Sequence, residues 1–233
     1  MSRRRRPLRE VALGLGIYSA YLLAGRIVDN PRGRRRAARN AARVVALERR
    51  LGVHVEPHFQ RALLGRRQLC HALNAGYVSL NILLTIGLPA VLYRRRHADY
   101  EWLRSAVALS IVGASPVFLL FPCDPPRTLE GFEDTIKEIS GFDLDSGIVA
   151  RLYNPLAAFP SIHMAFAVVT AAGARAVSGD PVVRAAAAAY PGAVAFTIFA
   201  TANHYVLDAV AGSALGAAAL RASGAFETPE DVA

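Results

Sequence analysis

Six stretches of this chain approach the roughly 20 apolar residues that an α-helix needs to cross the hydrocarbon core of a bilayer. They run over Val11–Val28, Gln68–Tyr93, Trp102–Phe121, Ser161–Val177, Val182–Ala202 and Tyr205–Ala222. Hydrophobic residues make up 53% of the 233, too many for an ordinary soluble domain of that length. The expected fold is all-α: a polytopic membrane protein built as a six-helix transmembrane bundle with an interfacial amphipathic helix. The length suits a single domain, read here over 11–222, between a basic N-terminal tail (1–10) and a C-terminal tail (223–233). The first run is long for the apolar part of a signal peptide and lacks a clear small-x-small cleavage site.

Formal net charge is +9, and nearly all the basic residues are arginine. They flank apolar spans and no nucleic-acid motif accompanies them, so anionic lipid headgroups are the better partner. The Arg3–Arg6 cluster fits a cytoplasmic anchor. That orientation, however, exports the arginine-rich segment Pro31–Arg67, and over all loops charge does not choose between the two topologies. Cys70 and Cys123 belong to no C-x-x-C pair. They fall on the same face, where a disulfide is conceivable if that face is oxidising, and two free thiols are the plainer reading.

Between the first two spans, 31–67 reads as an interfacial segment. Ala37–Arg50, with Val44, Val45 and Leu47, suits a helix lying along the headgroups, and Gly52 suits its C-terminus. Arg94-Arg95-Arg96-His97 is a short basic turn. The stretch 122–160 is a long polar loop in which Pro122, Pro125 and Pro126 forbid a continuous helix. Acidic residues gather there: Asp124, Glu130, Glu133, Asp134, Glu138, Asp143 and Asp145. It reads as a lid over a site or as solvated surface. Gly212 and Gly216 form a small-xxx-small seam for close helix approach, and Pro191-Gly192 should kink or loosen the fifth span.

Ionisable groups at the edge of hydrocarbon are functional candidates. Arg127 follows the third span, His163 starts the fourth, and His204 lies between the fifth and sixth. Whichever way the chain is inserted, these three share one membrane face. His204 and Asp208 are four residues apart, so on a helix the carboxylate can orient the imidazole and leave its other nitrogen free to attack. His163 stands at a helix start, where backbone N–H groups favour an anion such as phosphate, and its imidazole can protonate a leaving oxygen. Ser161 can cap that helix or donate to phosphate, and the planar guanidinium of Arg127 suits phosphate oxygens. Asn154, Asn203, Arg151, His71 and Asn74 form a second tier of candidates. Structural roles remain open for each: a His–Asp pair knitting two helices, a helix cap, or a loop arginine paired with an acid. A zinc site built on His204, Asp208 and a distant histidine would leave Arg127 and the Pro-Ser helix start unexplained.

Several motifs in order resemble the type-2 phosphatidic acid phosphatase superfamily, and within it the inositol phosphorylceramide synthase-like branch. They are Phe121-Pro122 through Pro125-Pro126-Arg127, Asn154-Pro155-Leu156-Ala157-Ala158-Phe159-Pro160-Ser161-Ile162-His163, and Ala202-Asn203-His204-Tyr205-Val206-Leu207-Asp208 on to Gly212. Leu47-Glu48-Arg49-Arg50-Leu51-Gly52 through Glu56-Pro57 also looks like that branch. The resemblance implies a six-span core and a phosphohistidine intermediate. His204 would then be the nucleophile, Asp208 its orienting acid and His163 the general acid, with Arg127 and Ser161 holding phosphate oxygens and no metal or cofactor. The chain departs from the wider pattern at Leu120, Ile162 and Ile198, where that pattern has lysine, glycine and arginine.

The expected activity is therefore transfer of a phosphoryl or phospho-headgroup from a lipid phosphate to a polyol or sugar acceptor such as inositol. The alternatives are a lipid phosphate or pyrophosphate phosphatase and a non-catalytic lipid-binding relative. The expected setting is a bacterial plasma membrane with the site facing outward.

Overall fold

The computed structural model describes residues 7–224 except 96, 145 and 148. The cluster Arg3–Arg6, Arg96 of the basic turn, Asp145 of the acidic loop and residues 225–233 of the C-terminal tail lie outside the described residues. Among the described residues, ten α-helices follow one another, in chain order α1 (Pro7–Val28), α2 (Pro31–Leu51), α3 (Glu56–Leu64), α4 (Arg67–Ala75), α5 (Asn81–Arg94), α6 (Tyr100–Leu120), α7 (Thr135–Glu138), α8 (Ile162–Val177), α9 (Pro181–Ala200) and α10 (Val206–Gly224). A π-helical turn, Gly76–Leu80, joins α4 to α5.

The chain is thus an all-α polytopic membrane protein. Among the described residues, five helical segments are long and apolar enough to cross a membrane: α1, α4 with α5, α6, α9 and α10. The expected count of six falls short at α8, whose 16 residues extend about 24 Å at ~1.5 Å per residue. Leu15, Leu23, Leu83, Ile86 and Val182 are exposed, a pattern suited to hydrocarbon rather than water. Helix α9 continues through Pro191.

The helix starts follow local chemistry. Asn30 accepts from the N–H groups of Arg32 and Gly33, Asp180 from those of Val182 and Val183, and Ser161 from that of Met164. Each satisfies donors that have no partner within the helix. At the end of α2, Gly52 takes the left-handed conformation (φ 71°) and its N–H returns to the Arg49 and Glu48 carbonyls, as its position after the apolar periodicity leads one to expect.

On α2, Gly33, Ala37, Asn40, Ala41, Val44 and Glu48 are buried at three- and four-residue intervals, while Arg34, Arg35 and Arg39 are exposed. The buried stripe packs beneath the polar loop. Asn40 Nδ2 donates to the Pro122 carbonyl (2.9 Å) and Arg36 Nη2 to that of Leu120 (2.8 Å). The two ends of the loop meet in a bridge between Cys123 and Ala157. Cys123 and Cys70 are both free and buried in separate clusters, Cys123 with Ala158 and Tyr205, Cys70 with Leu63 and Ala200.

Helix α10 lies against α6 and α8, and α8 in turn packs on α9 and α5. The small-xxx-small seam is what lets α10 come so close. A Cβ on Gly212 would stand 2.1 Å from the Ser161 carbonyl oxygen, and one on Gly216 would stand 2.6 Å from that of Ala165. Polar contacts add specificity between helices. Asn81 Nδ2 donates to the His163 carbonyl (2.9 Å), and Tyr190 OH donates to Asn81 Oδ1 (2.8 Å). Bonds of this kind in lipid contribute about 0.6–2 kcal/mol each.

Gly212→Ala must push backbone apart, which costs about 1–3 kcal/mol for added volume in a tight core. Its unfolding midpoint in detergent should fall by several degrees. Gly87→Ala, where a Cβ meets nothing within 4 Å, should show no such loss.

Candidate active site

Helix α9 ends in a turn that delivers His204. Ala202 adopts a left-handed conformation (φ 52°), and the N–H groups of Asn203 and His204 both return to the Ile198 carbonyl (2.9 and 3.3 Å). The imidazole is then fixed from one side. Its Nδ1 lies 2.9 Å from the Ala158 carbonyl and 3.4 Å from Asp208 Oδ2. A carbonyl can only accept, so Nδ1 carries the proton and the Nε2 lone pair is left basic. The expected orienting carboxylate is therefore the more distant of two acceptors. Asp208 is fully buried, and its Oδ2 accepts from the Tyr205 N–H at 3.0 Å, so it holds the backbone that carries His204 as well as the ring.

Burial, together with the nearby charge of Arg127, pushes His204 down to about 4, against the hydrogen bond to Ala158. A ring that is neutral at pH 7 has a nucleophilic lone pair without needing a base to remove a proton.

His163 starts α8 with its ring centroid 5.5 Å from that of His204. Tyr77, presented by the π-helical turn, stacks on it at 4.3 Å and 18°, and the ring is hydrogen-bonded to the Tyr77 backbone. Its Nδ1 has no hydrogen-bond partner. π-helical turns recur at functional sites because they displace one side chain from the regular helical register. Here that side chain is Tyr77, which sits 6.4 Å from the His204 ring as well.

Arg127 is 6% exposed and reaches the same place from the polar loop. Its N–H donates to the Ala202 carbonyl (2.7 Å), which ties it to the His204 turn. Its guanidinium donates to Asp134 Oδ2 (2.7 Å) and to the Tyr153 hydroxyl (3.0 Å). An incoming anion would compete with the Asp134 carboxylate for these donors.

His163, His204 and Arg127 line one cavity of about 50 Å³, with Asn154, Asn203, Tyr21, Tyr77 and Tyr153. At ~10–15 Å³ per water, that is room for roughly four waters, close to one phosphoryl group. Among the described residues that line it, Arg127 is the only arginine or lysine. Neutral groups surround the rest: Asn154 Nδ2 and Asn203 Oδ1 are buried without hydrogen-bond partners. A second cavity of about 130 Å³ shares His163 and Tyr77 with the first and runs between the π-helical turn and α9, past Leu80, Ala193 and Val194. Of the two histidines it borders His163.

The other expected residues fall elsewhere. Ser161, fully buried, caps α8 and does not line the cavity; its N–H donates to the Asp208 carbonyl (3.0 Å). Arg151 is exposed and apart from the cavity. His71 and Asn74 hold the acidic loop instead: His71 Nδ1 lies 3.2 Å from Ser140 Oγ, and Asn74 Nδ2 donates to the Thr135 carbonyl (2.8 Å). Gln60 makes bonds in both directions with the Glu133 backbone, so the loop is strapped down at several points. Where the resembling pattern has its other cations, Leu120 is exposed at the end of α6, and Ile198 is buried among Met164, Val194 and Ala209.

Sequence reasoning missed Tyr21, Tyr77 and Tyr153, whose only signal was a hydroxyl near the end of an apolar run or within a loop. It also gave no role to Glu48 and Glu56. Both are fully buried, and their Oε1 atoms accept from the N–H groups of Leu207 (2.8 Å) and Val206 (2.7 Å), the first residues of α10. Burial, with the negative charge of Glu56 beside it, pushes Glu48 up to about 8, against the hydrogen bond from Leu207.

The family model of the PAP2 superfamily matches residues 42–222, a range that contains Arg127, His163, His204 and Asp208. No curated protein and no solved structure matches the chain.

His204 protonation, followed by NMR in histidine-labelled protein and assigned with His204→Gln, should have its midpoint near 4. A midpoint near the ordinary ~6.5 would contradict the buried neutral ring. Because the unfolded chain binds this proton more readily, the ring contributes stability above pH ~6.5 that is lost as pH falls toward and through 4.

Proposed function

The chain belongs to the PAP2 superfamily, and on that premise we propose that it is an integral membrane phosphotransferase acting on a lipid-linked phosphate ester through His204. The observation that carries this reading is the meeting of Arg127, His163 and His204 around one cavity with room for a phosphoryl group.

In the first half-reaction, His204 Nε2 attacks phosphorus and the bond to the leaving oxygen breaks. The electron pair goes to that oxygen, which takes a proton from His163. Arg127 and the spare Asn154 N–H balance charge on the phosphoryl oxygens. In the second half, an acceptor hydroxyl attacks the phosphohistidine, gives its proton back to His163, and His204 is released. No step draws on a metal. A protonated His163 pairs well with bound phosphate, and its unpartnered Nδ1 suits the return of the proton.

The charge count favours transfer from a phosphodiester. A phosphomonoester carries close to two negative charges at pH 7, a phosphodiester one, and Arg127 is the only permanent cation among the described residues that line the cavity. A phospho-headgroup passed from one lipid alcohol to a polyol such as inositol, or the reverse, keeps the charge at one throughout. The acidic loop next to the site offers carboxylates for acceptor hydroxyls. The cavity between the π-helical turn and α9 suits the lipid tail. The proposed setting is a bacterial plasma membrane with this face outward.

The test uses purified protein with labelled lipid phosphodiesters, monoesters and pyrophosphates, each with and without inositol or sugars. A new phosphodiester that appears only with an acceptor is the expected product. Free phosphate alone would assign a phosphatase, and no turnover on the whole panel would overturn the enzyme reading. His204→Ala should lower the rate by about 1,000-fold or more, as loss of a nucleophile does elsewhere.

A further inference from the structure

The elbow between α2 and α3 gathers three side chains that the phosphoryl chemistry does not use. Glu48 ends α2, His54 stands in the turn and Glu56 begins α3. Both glutamates are fully buried, and His54 is 13% exposed. Each glutamate spends Oε1 on the start of α10. The remaining atoms, Glu48 Oε2, Glu56 Oε2 and His54 Nδ1, lie within 4.8 Å of one another.

Two features separate this cluster from an ordinary ion pair. First, all three atoms are buried and none meets a fixed donor or acceptor with hydrogen-bond geometry; the one hydrogen bond open to the carboxyl groups is with each other, and it requires one of them to hold a proton. His54 Nδ1 is 3.1 Å from Glu56 Oε2 and 3.5 Å from Glu48 Oε2, yet neither contact has hydrogen-bond geometry. Second, the two spacings from His54 Nδ1 are close to those of coordination. Donors around a tetrahedral ion with bonds of ~2.0–2.2 Å lie roughly 3.3–3.6 Å apart. Two carboxylates and one imidazole also form a donor set suited to a first-row divalent ion.

The geometry points to a divalent cation site formed by Glu48, His54 and Glu56, taking zinc or manganese and bracing the start of α10. The ion bonds to the oxygens that face away from α10, while their Oε1 partners keep the Val206 and Leu207 N–H groups. It therefore links α2, α3 and the segment that follows His204, without touching the phosphoryl cavity. Two carboxyl groups brought together in a buried pocket repel one another when both are ionised, and a divalent ion that displaces the proton between them compensates both. His54 borders solvent and offers a way in, with Phe132 edge-on at 6.5 Å. The site is positional, and its existence does not depend on which phosphoryl reaction the protein performs.

The test uses full-length, tag-free protein in detergent, stripped with a chelator and then given Zn²⁺ or Mn²⁺ alone. Elemental analysis after desalting should find one equivalent of metal, and the unfolding midpoint should rise with metal added. Co²⁺ in place of zinc should give the absorption bands of a low-coordinate nitrogen–oxygen site in the wild-type chain. His54→Ala leaves the two glutamate bonds to the start of α10 in place, and Glu56→Gln keeps an acceptor for the Val206 N–H. Each should weaken metal binding tenfold or more. Absence of retained metal and of a cobalt spectrum in the wild-type protein would overturn the proposal, as would retention unchanged in both variants.

Discussion

Where α10 crosses the start of α8, the Gly212 backbone lies so near the Ser161 carbonyl that a methyl group would have no room, and the Ser161 N–H donates to the Asp208 carbonyl. This crossing holds the two histidines at a fixed spacing. His163 is two residues past Ser161 and His204 four residues before Asp208, so a single backbone contact sets both. The remaining anchors work from outside it. The Ala158 carbonyl accepts from His204 Nδ1–H, the Ala202 carbonyl accepts from the Arg127 N–H, and Glu48 and Glu56 hold the first turn of α10.

The electrostatics follow from how little permanent charge this arrangement admits. A buried ring near an arginine stays neutral, which keeps its lone pair available. A lone guanidinium, already engaged by Asp134 and Tyr153, favours an anion that can displace a carboxylate without demanding further cations. The neutral amides and tyrosine hydroxyls around the cavity complete a site matched to modest charge. The apolar identity of Ile198 is consistent with this, because its side chain is packed among Met164, Val194 and Ala209, where an arginine would be stranded.

Much of this was legible in the sequence because it rests on local rules. Hydropathy located the apolar runs, and the topological count alone put Arg127, His163 and His204 on one face, where the structure places them around one cavity. Gly52 and Ser161 acted as helix punctuation, one through a left-handed residue and the other through its side chain. What escaped detection depends on distances between segments far apart in the chain. That the Ala158 carbonyl lies closer to His204 than Asp208 does cannot be read from a four-residue spacing. The π-helical turn that presents Tyr77 has no periodicity signature. Arg151, His71 and Asn74 share a membrane face with the site but not the cavity, because same-face reasoning has no lateral resolution. The fourth apolar run is found as α8 with Ser161 as its cap, and at 16 residues it is a shorter apolar helix than the five candidate spans.

The measurement closest to the core of this account is direct capture of the phosphorylated enzyme. Protein mixed with a phosphorus-labelled lipid substrate would be quenched in alkali, which preserves phosphohistidine, and its peptides sequenced by mass spectrometry. The expected result is label on His204 that forms and decays fast enough to support turnover. Turnover with label on another residue, or with no labelled protein at any time point, would contradict it.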